Sequence, residues 1–350
     1  MEGTKRVEAV VEGLSDEDRA LFAEAWDIAR ARHGREFTFY LPGMIRYGRE
    51  RGRYPALSIT GNRCDLLCEH CRGMLLEPMI KVAGPADLEE KAARLKRSGA
   101  FGVLLSGGSD REGRLPWYDY LGAIGRIHTT SDLFLTAHAG FPDLDVCRRL
   151  KEAGVRQALI DVMGDERTAR DIYHLEGLHR VQDAMEGIAA SGLAFIPHIV
   201  AGLYYGDIRA EGEALERIRS YLPSALVIVV LTPLKGTSME GVTPPGALEV
   251  ARLIARARLM MPGVPISLGC ERPRNREGVL MERLALMAGA TRMAVWSEEA
   301  VRLARNLGLE PRFQATCCSL DFMEAFRCEG PRTEPGPASA VRRTRSAAYP

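Results

Sequence analysis

Three cysteines have a spacing that suits soft-metal chemistry. Cys64, Cys68 and Cys71 directly follow an apolar run at residues 56–60. Thiolates hold iron–sulfur clusters, which normally take four of them, so three leave one iron open to a second molecule. Zinc prefers four closed ligands, and His70 lies too close in sequence to its cysteine neighbours to complete such a site. The spacing therefore predicts a cluster with one open iron, with a zinc knuckle or chance as the alternatives.

Composition narrows the class of protein. Among 350 residues, 47 Lys and Arg balance 46 Asp and Glu, which argues against a nucleic-acid-coating surface. No apolar stretch approaches the ~20 residues that a membrane helix needs, and the N-terminus lacks the apolar core of a signal peptide. Eight cysteines in such a chain are better explained as metal ligands than as disulfides. We therefore expect a cytoplasmic protein without a nucleic-acid or membrane partner.

A repeated pattern positions these residues. From residue 55 onward, a short apolar strand, a polar or Gly-rich loop, a helical stretch and a glycine recur. The predicted strands are 56–60, 101–106, 132–137, 156–161, 194–200, 225–231, 263–268 and 291–296. Many are almost continuously apolar, as strands buried on both faces are, so the sheet should be parallel. Eight such units predict an α/β fold, a (β/α)8 TIM-type barrel with ligands at the C-terminal strand ends. An open doubly wound sheet is the alternative.

The rest of the chain divides around the barrel. Residues 15–33 form an amphipathic pattern that Ser15 caps and Gly34 ends, which predicts a helix. Residues 1–54 are therefore interpreted as an N-terminal helical extension and 55–312 as the barrel. Residues 313–350 form a C-terminal cysteine-bearing extension whose end, beyond residue 330, is rich in Pro, Gly, Ser and Arg.

The cysteine spacing resembles the signature of the radical S-adenosylmethionine (SAM) enzymes. That resemblance implies a [4Fe–4S] cluster on Cys64, Cys68 and Cys71, with SAM on the open iron and reductive cleavage to a 5′-deoxyadenosyl radical. It further implies that His70 takes the position of an aromatic residue near the adenine. Gly107 and Gly108 stand where the family has the glycines that hold the SAM amino group. Ser109 stands in place of the family's glutamate. For the pair Gly107–Gly108, a plain tight turn is the alternative.

The same resemblance implies roles for two more residues, Asp161 and His198. Asp161, at the end of the fourth predicted strand, corresponds to the aspartate that holds the ribose in biotin synthase; a helix N-cap is the alternative. His198 lies in a segment similar to the one beside the adenine. His198 and His138 are equally well explained as structural histidines. No residue of the sequence is assigned a catalytic role.

The second half of the chain resembles biotin synthase in order and spacing, over residues 232–237, 255–262, 266–271, 286–290 and 307–311, and the resemblance covers about residues 20 to 312. Biotin synthase holds a second, sulfur-donating cluster with three cysteines and an arginine. Here Ser106, Thr136 and Ile196 lie in the relevant stretches, and Cys270 occupies the arginine position. The chain is therefore not expected to be a biotin synthase.

Four other cysteines predict an auxiliary iron–sulfur cluster at or near the barrel mouth. Cys270, Cys317, Cys318 and Cys328 supply the usual four thiolates. Because adjacent side chains point in different directions in a strand, Cys317 and Cys318 both bind only if the backbone turns there. A free buried cysteine is the alternative for each, and Cys147 is predicted to be a small core residue.

Among sulfur-inserting relatives, the best match is the two-protein lipoyl synthase of archaea and some bacteria. That resemblance implies sulfur insertion at an unactivated carbon of a protein-bound octanoyl group. The implied partners are an octanoylated carrier protein or lipoyl-domain peptide, a second radical SAM protein, and an electron donor such as ferredoxin or flavodoxin. The pair Arg345–Ser346 faintly resembles a C-terminal motif of lipoyl synthase, with a solvated tail as the alternative.

Two other functions stay open. One is a biotin-synthase-like mutase or lyase that acts on a small amine or amino acid without sulfur insertion, as methylornithine synthase and hydrogenase-maturation enzymes do. The other is a noncatalytic cluster carrier, which the placement of Gly107, Gly108 and Asp161 for SAM disfavours.

Overall fold

The computed structural model describes residues 14–48, 50–330 and 342–343. Ten helices, α1 to α10, cover Asp16–His33, Pro85–Arg97, Trp117–Thr130, Leu144–Glu152, Glu166–Asp171, His179–Ser191, Glu211–Arg219, Ala247–Met260, Arg276–Met287 and Glu298–Asn306 in the described chain. The described strands, β1 to β14, are Glu36–Tyr40, Ile45–Tyr47, Glu50–Arg51, Ala56–Ser58, Ile80–Lys81, Gly102–Ser106, Phe134–His138, Gln157–Asp161, Ala194–Ala201, Leu226–Val230, Ile266–Leu268, Arg292–Ala294, Glu310–Gln314 and Arg342–Arg343.

Eleven strands form one parallel sheet. Their order is β13-β1-β12-β11-β10-β9-β8-β7-β6-β4-β5. All eight predicted strands are present, and they lie side by side in chain order from β4 and β6 to β12. Strands β1 and β13 extend the sheet at one end and β5 at the other, so the sheet is larger than predicted. β2, β3 and β14 form a separate small antiparallel sheet.

The large sheet curls round on itself. The backbone NH of Arg53, just before β4, donates to the carbonyl of Ala315, just after β13, over 2.8 Å. This hydrogen bond joins segments that lie near opposite ends of the strand order. The architecture is therefore the predicted α/β barrel-type fold, with helices alternating with the strands.

Side chains of the sheet form two layers, because successive residues of a strand point to opposite faces. The outer core lies between strands and helices and includes Phe39, Trp296 and Phe313. A second, smaller group, here called the inner cluster, lies inside the barrel. Its buried members are Tyr40, Leu159, Ile196, Ala225, Val227, Ala294 and Cys318.

Helix α1 is capped as predicted. The Ser15 hydroxyl accepts a hydrogen bond from the Asp18 backbone NH at 3.1 Å, and Gly34 ends the helix with a φ of 66°. The Asp18 carboxylate also accepts two hydrogen bonds from the Arg252 guanidinium, at 2.7 and 2.8 Å. This ion pair joins α1 to α8, so the N-terminal helix packs firmly on the barrel.

Within the described chain, no helix combines the length and the apolar character needed to cross a membrane. The proposed boundaries at residues 54 and 312 remain predictions. The pair Arg345–Ser346 lies outside the described residues.

Candidate iron–sulfur and cofactor site

The cysteine loop after β4 folds tightly around its ligand atoms. Backbone NH groups of Cys71 and Arg72 both donate to the Cys68 carbonyl, at 3.1 and 2.8 Å. As a result, the ligand atoms of Cys68, His70 and Cys71 lie within 4.8 Å of one another. The Cβ of Cys64 lies 3.4 Å from where a Cβ on Gly73 would stand, so the two ends of the loop are close together.

The electrostatics of this loop favour a thiolate. A hydrogen bond from the Cys68 thiol lowers the pKa of Cys71 to about 4, against the effect of burial, and His70 lowers it further. The same hydrogen bond, with burial, raises the pKa of Cys68 well above its usual value. Burial alone would lower the pKa of His70, but Cys71 and Asp161 outweigh it and raise that pKa. A soft anionic ligand set of this kind fits an iron–sulfur cluster.

The glycine pair after β6 packs against the cysteine loop. A Cβ on Gly108 would stand 2.1 Å from the Arg63 carbonyl oxygen and 2.4 Å from the Cβ of Cys64. The Gly108 NH donates to the Thr60 hydroxyl at 2.7 Å, and the Ser109 carbonyl accepts from the Asp65 NH at 2.7 Å. The structure thus brings residues 107–109 to the predicted cluster loop, and only glycine permits the close approach at Gly108.

A line of polar side chains leads from this loop into the barrel. The His70 ring lies 5.3 Å from the Tyr173 ring, centroid to centroid, and the Nδ1 of His70 is buried without a partner. The Tyr173 hydroxyl donates to Asp161 Oδ2 at 2.8 Å, and His138 Nε2 lies 3.6 Å from Asp161 Oδ1. The rings of His138 and His198 are 5.4 Å apart.

Asp161, His138 and His198 shift one another's pKa values. Burial would raise the pKa of Asp161, but the hydrogen bond and charge of His138 outweigh it and hold that pKa far below its usual range. Asp161 in turn raises the pKa of His138 against burial, whereas burial and His138 lower the pKa of His198 to about 4. His138 and Asp161 keep 30% and 25% of their side-chain surface accessible. Solvent therefore reaches both side chains, which lie at the ends of β7 and β8 and include an anionic acceptor.

Residues 316–321 turn inward after β13. The first residues of β8 and β12 hold this segment, because Gln157 Nε2 donates to the Ser319 carbonyl at 3.1 Å and Arg292 Nη1 to the Leu320 carbonyl at 3.0 Å. Tyr40 adds a hydrogen bond to the same Leu320 carbonyl at 2.6 Å. The turn that Cys317 and Cys318 require is thus present.

Three of the four auxiliary cysteines meet inside the barrel. Cys318 belongs to the inner cluster, and Cys270 packs against that cluster. A hydrogen bond from the Cys318 thiol lowers the pKa of Cys317 to about 6, while burial raises the pKa of Cys270 to about 11. The backbone NH of Cys328 donates to the Phe313 carbonyl at 3.0 Å. Its side chain packs on the outer core, as Cys270 also does, but not on the inner cluster.

Cys147 lies in the outer core, apart from both groups of predicted ligands. Cys147 is fully buried in α4, as predicted for a core residue, and burial raises its pKa to about 12. Sequence reasoning missed Tyr173, which lies in the loop between α5 and α6 without any motif to mark it. It left His138 undecided, because a single histidine at a strand end is not distinctive.

The chain is similar in sequence to biotin synthases. No protein-family model matches the chain. The chain is 28% identical over 303 residues to the biotin synthase of Pelotomaculum thermopropionicum, which covers 82% of this chain and 86% of the relative. The biotin synthase of Acetivibrio thermocellus is 26% identical over 276 residues, with coverage of 72% and 81%.

Solved structures show the same fold at lower identity. Methylornithine synthase (PylB) gives a TM-score of 0.60 at 15% identity, over 88% of this chain and 93% of that one. The hydrogenase maturase HydG of Carboxydothermus hydrogenoformans gives 0.61 at 16% identity, over 93% of this chain and 76% of that one.

Proposed function

Because this chain is a radical SAM, biotin synthase-like protein, we propose that it inserts sulfur at an unactivated carbon, in the synthesis of a lipoyl group on a protein-bound octanoyl chain. The observation that carries the proposal is that Asp161 and His138 link two groups of cysteines, because Asp161 acts electrostatically on Cys68 and His138 on Cys317. In this proposal the space between the two groups is one cavity. Cys64, Cys68 and Cys71 lie at its mouth, and Cys270, Cys317 and Cys318 lie inside the barrel.

The mouth of the barrel would bind the first cluster and SAM. When bound, they supply a 5′-deoxyadenosyl radical that removes a hydrogen atom from the substrate. In this proposal Asp161 accepts hydrogen bonds from the ribose hydroxyls, and Tyr173 orients its carboxylate. His70 and His198 flank the adenine, and residues 107–109 support the cysteine loop and face the amino acid part of SAM.

A second cluster would supply the sulfur. The cavity between the two cysteine groups contains His138 and Asp161, so a substrate that enters from the mouth passes both before reaching Cys317. An extended acyl chain attached to a protein suits such a route, because the attachment point stays outside the barrel. We propose an octanoylated carrier or lipoyl-domain peptide as substrate, a second radical SAM protein as partner, a ferredoxin or flavodoxin as electron donor, and a cytoplasmic location.

A second candidate function is the rearrangement or cleavage of a small amine or amino acid without sulfur insertion. The Asp161–His138 pair favours it, because a carboxylate and a histidine inside a cavity match the charges of an amino acid. This function needs no second cluster.

The test is reconstitution of the full chain with iron and sulfide under anaerobic conditions, followed by reduction with SAM present. We expect methionine and 5′-deoxyadenosine, and with an octanoyl-lysyl peptide a product heavier by sulfur. The control is the Cys64→Ala, Cys68→Ala, Cys71→Ala variant. SAM cleavage without a sulfur-containing product would contradict sulfur insertion. No cleavage by a folded, iron-loaded chain would contradict the radical SAM function itself.

A further inference from the structure

We infer that the auxiliary cluster is held by three thiolates, those of Cys270, Cys317 and Cys318, and that Cys328 is not a ligand. The buried hydroxyls of Ser267 and Ser319 donate hydrogen bonds to the sulfur atoms of this cluster. This inference rests on the proposed function, since it concerns the ligand set of the second cluster. The sequence predicted four cysteine ligands, and this inference reduces them to the three that lie inside the barrel.

The first argument is position. Cys318 is buried within the inner cluster, 4% exposed, and Cys270 contacts the same cluster from the end of β11. Cys317 is the sequence neighbour of Cys318, both are free thiols, and Cys317 keeps accessible surface, as Cys270 does. Three thiols therefore converge on one space that is partly open to the cavity, which a buried cysteine in an ordinary core would not require.

The second argument is two hydroxyl groups that lack partners. The Oγ atoms of Ser267 and Ser319 are buried, with residue exposures of 0% and 2%, and neither makes a hydrogen bond. A buried hydroxyl without a hydrogen-bond partner is destabilising, so natural proteins rarely leave one. Ser319 directly follows Cys318, and Ser267 lies in β11, three residues before Cys270.

A bound cluster would give both hydroxyls a hydrogen-bond acceptor. Its sulfides and thiolates accept hydrogen bonds, and such bonds from the protein tune the reduction potential of iron–sulfur clusters. The two hydroxyls are thus placed as donors to sulfur. Nothing comparable surrounds Cys147, which lies in the outer core.

The third argument separates Cys328 from the others. Its backbone NH bonds to Phe313, whose ring stacks on Phe39 at 5.4 Å in the outer core. The charged groups that act on the Cys328 thiol are Glu50 and Arg53, not the interior cysteines. Unlike Cys270, Cys328 does not pack against the inner cluster, so in this inference the fourth cluster position has no cysteine.

The experiment removes the first cluster and counts what remains. The full chain with Cys64, Cys68 and Cys71 replaced by alanine is reconstituted without oxygen, and its iron, sulfide and electron paramagnetic resonance spectrum are measured. We expect about two to four irons per chain. Adding Cys270→Ala, Cys317→Ala or Cys318→Ala should remove most of them, whereas adding Cys328→Ala or the core control Cys147→Ala should not.

Circular dichroism and thermal unfolding verify the fold of each variant, and Cys318→Ser replaces Cys318→Ala if the alanine variant fails to fold. Loss of the iron in a folded Cys328→Ala variant would overturn the inference and restore a four-cysteine set. No iron in the starting variant would overturn the second cluster altogether, and with it sulfur insertion. Replacing Ser267 or Ser319 by alanine should retain the iron and shift the reduction potential to more negative values, and an unchanged potential would contradict the role of the hydroxyls.

Discussion

His174 joins two points of the cysteine loop through one ring. Its Nε2 lies 2.8 Å from Glu69 Oε1, and its Nδ1 lies 3.0 Å from the Leu66 carbonyl oxygen. Each ring nitrogen thus lies within hydrogen-bond distance of an oxygen atom of the cysteine loop. Glu69 also receives a hydrogen bond from Ser238 of the loop after β10, and its NH donates to the Ile172 carbonyl at 2.9 Å. His174 itself has a φ of 55°, a left-handed conformation unusual for histidine.

Replacing His174 by alanine should therefore loosen the cluster loop. Both contacts would be lost, at a cost of about 1–3 kcal/mol, so iron should leave the reconstituted protein about 5-fold to 150-fold faster. The measurement is the decay of visible absorbance in the presence of an iron chelator. His179→Ala is the matched control, because that histidine is exposed on α6. Equal rates for the wild type and His174→Ala would show that the loop keeps its shape without this ring.

Gly108→Ala should displace the cysteine loop. The added Cβ would overlap the Arg63 carbonyl and the Cβ of Cys64, and such overpacking costs about 1–3 kcal/mol. We expect a lower melting temperature and less iron per chain after reconstitution. Gly212→Ala in α7 is the control, since a Cβ there meets nothing within 4 Å. Full iron loading of Gly108→Ala would contradict the close approach.

Asp161→Asn should weaken SAM binding without removing the first cluster. The change removes the anionic acceptor, and a hydrogen bond to a charged group contributes about 1.5–3 kcal/mol, so the dissociation constant should rise ~10-fold or more. Equilibrium binding of SAM to the iron-loaded protein provides the measurement. The exposed Asp145→Asn on α4 serves as control. An unchanged affinity would place the ribose elsewhere.

His33 should make stability depend on pH. Its Nε2 lies 2.9 Å from Arg258 Nη1, and burial with the Arg258 charge lowers the pKa of His33 to about 4. The unfolded chain, with a histidine pKa near 6.5, binds more protons between pH 4 and 6.5, so stability falls as the pH drops through that window. We expect the free energy of unfolding to be about 1 kcal/mol lower at pH 5.5 than at 7.5 from this group.

Urea unfolding at the two pH values measures this effect. His33→Gln keeps an acceptor for Arg258 but does not titrate, so it should lose about 1 kcal/mol less than the wild type between pH 7.5 and 5.5. Equal losses would show that other groups govern the dependence.

The strands of the barrel were predictable because burial on both faces requires continuous apolar runs, as in β10 with Leu226–Val230. Strand β1 was missed, because its five residues precede the repeating pattern and its partners β12 and β13 lie more than 250 residues away. Only tertiary pairing makes it part of the sheet.

The candidate site also has one part that local sequence predicts and one part that depends on tertiary contacts. The spacing of Cys64, Cys68 and Cys71 is local, so the sequence alone predicted a loop with soft ligands, and the structure groups the ligand atoms of Cys68 and Cys71 with that of His70. Asp161 was predictable as the end of a strand, but its contacts with Tyr173 and His138 depend on neighbouring elements. Adjacent loops meet at the same edge of a parallel sheet, although nothing in the sequence specifies which side chains touch.

By itself, therefore, the sequence determined the types of ligand, the class of fold and the edge of the sheet where the chemistry lies. The tertiary structure alone decided which cysteines meet. Cys318 enters the barrel because Gln157 and Arg292 hold the segment after β13, whereas Cys328 is left on the outer core. The physical reason is that a side chain's face depends on where the chain turns, and a change of one residue in register moves it to the other side of the sheet.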